Sequence, residues 1–196
     1  MTESDTTMTD HLLLDSLRRR MAAMHTLWYD AVDTMGPEHV NHFEREGVLP
    51  IASPLFHYPN MQDVTFAVLA GEPTIWNEDW QSRVQMAIDD HGKERPVSDM
   101  IHQRIGDFNA FKEYQRTVFD RTEQHLATID PADFERVIIE PPYPPQIAST
   151  YSAICAGPQG ITVLDAFECW LYQHGLRHMG EIELARGLVG LGGMTS

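Results

Sequence analysis

His174 and His178 stand four positions apart in the stretch 170–182. On a helix that spacing stacks two imidazoles one turn apart on one face, where their ring nitrogens can converge on a single metal ion. Apolar residues precede them at Leu164, Phe167 and Leu171 and follow at Ile182, Ala185 and Val189, so the pair occupies the steps at which this stripe would continue. Two imidazoles aimed inward must be satisfied by hydrogen bonds or coordinate something. In a chain with ten histidines the spacing also arises readily by chance, and the pair needs a third ligand to carry weight.

One helix offers only positions three or four apart on a face, so a metal held between helices takes ligands from at least two of them. His57 meets that need, because it opens a face continued by Met61, Val64 and Val68, where an imidazole is as unexpected as at 174 and 178. Three neutral imidazoles make a tripod with open positions for water and substrate. Zinc is the first expectation for the ion, and nickel or another late first-row ion accepts the same ligands. Glu181, three residues beyond His178, shares the face; it is the candidate general base or the carboxylate behind a ligand, the alternative being a surface charge paired with arginine. Arg177 and Arg186 flank the stripe as anion holders or as salt-bridge partners of Glu181 and Glu183. Asn60, one turn after His57, is a further candidate for orienting substrate. Gly175 and Gly180 inside this helix each cost about 1 kcal/mol against alanine, which suggests close backbone packing near the ligands.

The elements that must position these residues are four helices. The first is expected over about 10–35, with Leu14, Leu17, Met21, Met24, Trp28, Ala31 and Met35 alternately three and four apart before Gly36-Pro37 ends it. The second is expected to begin at Ser53-Pro54 and to kink or start late at Pro59, which removes a helical hydrogen bond. A long connection, 74–97, carries Trp76 and Trp80 and reads either as a lid or as a crossover packed on the helices. The third helix spans about 107–129 with Asp107 as its cap, and the fourth about 162–189, stopped by glycines. Between them Pro-rich 140–145 is expected to be extended, with a short strand at 137–139. Arg18-Arg19-Arg20 reads as a solvated face. The pattern is all-α, a four-helix bundle with two long crossovers, and no repeat is visible.

Length and composition bound the rest. A chain of 196 residues suffices for one domain, expected over 10–196, with 1–9 as a disordered polar tail and not a signal peptide. The net charge of -15, from 14 basic and 29 acidic residues, argues against nucleic acid as a ligand. No run of 18 apolar residues exists, so no membrane partner is expected. Cys155 and Cys169 form no disulfide framework, which points to the reducing cytoplasm.

The stretch His174 to Gly190 resembles the last-helix signature of the DinB-like proteins, the bundle superfamily that includes YfiT-type and thiol-dependent transferases. The stretch Ser53 to Asp63, followed by Leu69-Ala-Gly-Glu-Pro-Thr-Ile-Trp76, is similar to that family's second-helix pattern, a histidine before an acidic residue and a Gly-x-Pro-x-x-Trp turn. The resemblance spans nearly the whole chain and implies a bundle in up-down-down-up order with a divalent metal. Its ligand positions fall on His57, His174 and His178. Related sequences commonly carry a second histidine three residues before the first ligand; here that position is Pro54.

Two functions follow as expectations. The first is a metal-dependent thiol S-transferase or isomerase acting on a small-molecule substrate, with a low-molecular-weight thiol such as bacillithiol, mycothiol or glutathione as co-substrate. The second is a non-catalytic stress-response protein that binds a metal or small ligand. A homodimer is expected through apolar faces of the first and third helices.

Overall fold

The computed structural model of the chain describes residues 3–93 and 95–193. The protein is mostly helical, with one small antiparallel sheet. Four long helices dominate: α1 (Glu3–Asp33), α2 (Ala52–Ala70), α3 (Phe108–Thr128) and α4, which runs over 163–188. α1 packs on α3 and α4, and α2 packs on the same two, with their buried apolar residues in one core.

The apolar stripes explain the packing. All seven stripe residues from Leu14 to Met35 are buried, six on α1 and Met35 just past its end, as are Leu55, Tyr58, Gln62, Thr65 and Leu69 on α2. At the centre Trp28, Tyr58 and Phe119 are fully enclosed, each contributing roughly 1.5–3 kcal/mol by burial alone. Trp28 and Tyr58 stack with ring centroids 4.7 Å apart, and both send their polar tips onto the backbone of α4. The Trp28 indole donates to the Gly175 carbonyl at 3.3 Å, and the Tyr58 hydroxyl to the Leu171 carbonyl at 3.1 Å.

α4 is not a uniform α-helix. Thr162 caps it in a reciprocal box with Asp165, and Ala166–Gln173 is then π-helical before the α-helical segment His174–Leu188. Such widened turns are rare and concentrate at functional sites. Here the wide segment ends at the first histidine of the pair.

Several expectations change. α1 starts at Glu3, within the segment expected as a tail, while residues 1 and 2 lie outside the described residues. α2 starts at Ala52 and runs through Pro59 without a break. The 74–97 connection contains a helix, Glu78–Val84, which packs on α3. The strand β1 (Val137–Ile139) is present and pairs with β2 (Ile161–Thr162), and the proline-rich stretch turns into a short helix at Pro145–Ala148. Arg20 is not simply solvated, since it pairs with Glu168 on α4 at 2.6 Å, and Arg18 donates to the Leu126 carbonyl at the end of α3. Large exposed apolar side chains sit on α4, at Leu176, Leu184 and Leu188, with Leu12 on α1 and Val68 on α2. Among the described residues α3 exposes none. No helix is long and apolar enough to cross a membrane among the described residues.

Candidate metal centre

His57 on α2 meets His174 and His178 on α4. One ring nitrogen of each lies within 4.8 Å of the other two, and all three side chains are half-buried. Ring centroids are 5.3 Å apart for His57 and His174, 4.7 Å for His57 and His178, and 4.6 Å within the pair. The structure thus brings together the three residues that spacing and pattern singled out.

Hydrogen bonds decide which nitrogen each ring presents. His57 donates from Nδ1 to the backbone carbonyl of His91 at 2.5 Å, leaving Nε2 as the nitrogen it has to offer. His178 donates from Nδ1 to Oε2 of Glu181 at 2.7 Å and so also presents Nε2. His174 turns Nε2 toward His178 Nε2 at 2.9 Å. With His178 accepting there, the neutral His174 ring carries its proton on Nε2; donating instead to the Trp170 backbone places that proton on Nδ1 and frees Nε2. His57 and His178 have the arrangement of ligating histidines, the far N–H on a carbonyl or carboxylate and the near lone pair turned toward the cluster, and His174 reaches it with its proton on Nδ1.

Electrostatics keep the rings neutral. Burial, then the neighbouring His178 and His57, push His174 down to about 3, with Arg177 acting in the same direction. Burial, His57 and Arg177 likewise push His178 down to about 3. Burial lowers His57 too, against the hydrogen bond to His91, which works the other way. Neutral imidazole is the ligating form, so protons do not compete for this site near neutrality.

The supporting residues were harder to foresee. Gly175 allows the closest approach in the core: a Cβ there would lie 2.6 Å from the Tyr58 hydroxyl and run into Met24 Sδ. Gly180 has nothing within 4 Å, so the close packing expected of both glycines holds at only one. Asn60 does not face the site; it is buried and donates to the Tyr114 hydroxyl at 3.2 Å. Arg186 is turned inward, away from solvent. It is buried and donates to the Ala31 carbonyl at 3.0 Å and Thr34 Oγ1 at 2.8 Å, tying α4 to the end of α1. No spacing rule would have found the His91 carbonyl. The one sequence signal for Tyr58 and Trp28 is the aromatic residue on each core stripe.

No family model matches the chain, and neither does any curated protein. Its fold is similar to that of a solved structure described as the conserved protein of locus from Enterococcus faecalis. The two are 11% identical over 90% of this chain and 96% of that one, with a TM-score of 0.71. That likeness speaks to the fold alone.

Proposed function

We propose that the protein is a DinB-like four-helix bundle, in up-down-down-up order, whose His57, His174 and His178 hold a divalent ion, zinc or nickel. On this reading it is a metal-dependent thiol S-transferase or isomerase of the cytoplasm acting on a small-molecule electrophile. The observation that supports it best is that the three rings converge while the far nitrogens of His57 and His178 are committed to His91 and Glu181. A closed structural site would need a fourth protein ligand, and among the described residues no further histidine, cysteine or carboxylate joins the cluster.

When bound, such an ion lowers the pKa of a thiol or water that reaches it and polarises an electrophile. The chain's own residues do the rest. His57 and the histidine pair approach from different helices and supply three ligands, fewer than the four of a closed site. Glu181 acts through His178: its carboxylate sits on Nδ1, fixes the ring's orientation and raises its basicity as a ligand. Tyr58 and Trp28 anchor the backbone on which His174 rides.

Elemental analysis of the purified protein, and of protein reloaded with zinc or nickel, tests the site. One ion per chain in wild type and a loss in each His→Ala variant is the expected result; no ion after reloading removes the proposal. Loaded protein is then assayed with bacillithiol, mycothiol or glutathione and an electrophile. Rates equal to those of His178→Ala would leave the second reading, a non-catalytic protein that binds a metal or small ligand.

A further inference from the structure

The connection between α2 and α3 supplies the acceptor for His57, and the way it is held in place gives one of its tryptophans a role at the centre. Asp63, fully buried on α2, accepts the backbone N–H groups of Ile75 at 2.9 Å and Trp76 at 2.7 Å, together with the Tyr114 hydroxyl at 3.2 Å, and pairs with Arg121. These contacts fix the backbone of Trp76, and its ring packs between Phe56, 4.8 Å away, and Tyr114, 4.9 Å away. From that fixed position the indole N–H donates to the Asp89 carbonyl at 2.9 Å. Two residues later the His91 carbonyl takes the Nδ1 proton of His57. A second anchor lies beside the first, since buried Gln103 bonds both the N–H and the carbonyl of Ile88 at 2.9 Å.

We propose that Trp76 is a positioning residue for the three-histidine centre, holding the 88–91 segment so that the His91 carbonyl locks His57 in the Nδ1–H tautomer with Nε2 turned toward His174 and His178. A neutral imidazole without a fixed acceptor exchanges its proton between the two nitrogens, and only one tautomer presents the converging lone pair. Partners of this kind, one step removed from the ion, change metal affinity by about 10–100-fold when lost. Because Gln103 still holds Ile88, loss of the indole bond belongs at the lower end of that range. The affinity part of the argument rests on the metal reading above; the tautomer part does not.

The test uses Trp76→Phe, which keeps an aromatic ring between Phe56 and Tyr114 while removing the N–H donor and part of the indole's bulk, with Gln103→Met as an independent release of the same segment. In the metal-free full chain, 15N chemical shifts of the His57 ring report the tautomer directly. Wild type is expected as a single Nδ1–H form, and each variant as a mixture. By competition with a chromophoric chelator, zinc Kd is expected to rise about tenfold in Trp76→Phe. In a His57→Ala background the same substitution should change Kd no further. An unaltered His57 tautomer in both variants overturns the proposal, as does a Kd within twofold of wild type. A lower melting temperature of the metal-free protein with both readouts unchanged marks Trp76 as ordinary packing and also overturns it. Should wild type bind no zinc, the metal reading fails and the ring shifts still decide this one.

Discussion

His25 and the cluster of His57, His174 and His178 both place imidazoles among the long helices, and they differ in what their ring nitrogens meet. His25 is fully buried and closed on both sides: Nδ1 lies 2.6 Å from Glu123, Nε2 lies 3.2 Å from the Gln62 amide nitrogen, and its face stacks on Phe119 at 4.0 Å. Both nitrogens of the ring are met there without any outside group, while Gln62 Oε1 beside it has no hydrogen-bond partner among the described residues. In the cluster the far sides of His57 and His178 are equally well satisfied, but the near sides face one another, and His57 Nε2 has no hydrogen-bond partner among the described residues. Burial alone therefore does not mark a site. A ring whose one edge is held and whose other edge is left to converge with its like does.

The largest test of that contrast exchanges the two sites under one substitution. His178→Ala should lower metal affinity by more than the about 100-fold that bounds the loss of a supporting partner, because a ligand itself is gone. His25→Ala should leave one ion per chain and instead destabilise the fold by about 2–4 kcal/mol, through the cavity beside Phe119 and the partners left unpaired. Metal titration and urea unfolding on both variants read this out. A loss of ion in His25→Ala equal to that in His178→Ala would erase the distinction.

Acid probes the cluster next. In the metal-free protein His174 and His178 sit at about 3, against about 6.5 in an unfolded chain. Their folded values are lowered, so the stability they carry is complete above 6.5. It is lost as pH falls from there toward 3, while the unfolded state takes up protons that the folded state refuses. The slope is about 1.4 kcal/mol per pH unit for each imidazole. Urea midpoints of the metal-free protein at pH 7, 6 and 5 should fall accordingly, and His178→Ala should flatten the decline. Parallel declines in the two proteins would mean that His178 is not held neutral by its burial.

The two glycines of α4 give a smaller and sharper comparison. Alanine gains about 1 kcal/mol over glycine in a helix interior, so Gly180→Ala, into open space, should stabilise by up to that amount. At Gly175 the methyl meets Met24 and Tyr58, and overpacking of about 1–3 kcal/mol should outweigh the gain. It would also displace the backbone that carries His174, so metal affinity should fall in Gly175→Ala and stay unchanged in Gly180→Ala.

What the sequence made legible follows the same division. The histidine pair could be read because it interrupts an apolar stripe on the helix that carries it. His57 was found for a partly mistaken reason: the face of Met61, Val64 and Val68 is not the core face, Val68 being 66% exposed, and the core side of α2 is that of Leu55, Tyr58 and Gln62. His57 stands at the margin between the two, where a ligand can be both anchored and reached. The π-helical turn of 166–173 leaves no periodic trace, because Leu164, Phe167 and Leu171 fit an ordinary helix equally well. The His91 carbonyl is invisible in principle, being a backbone group brought in across 34 residues. Pro59 misled as to a late start, since the helix is already formed at Ala52 and continues past Pro59, one missing bond being tolerated where the surrounding residues are buried.

The smallest expected effect concerns Glu181, and it separates two roles for one carboxylate. Its side chain is 60% exposed and its Oε2 lies on His178 Nδ1, the edge of the ring turned away from the other histidines. A base acting on a nucleophile at the Nε2 side would have to reach around that ring. Glu181→Gln keeps an acceptor for the Nδ1 proton and removes the charge, whereas Glu181→Ala removes both. If the residue works by orienting His178, metal affinity should change little in the glutamine variant and fall by about tenfold in the alanine variant, with solvent screening holding the effect at the low end. If it works as a general base, turnover with a thiol and an electrophile should collapse equally in both while metal affinity holds. The geometry favours the first pattern, because a carboxylate already engaged with one ring nitrogen is best placed to tune the ligand it touches.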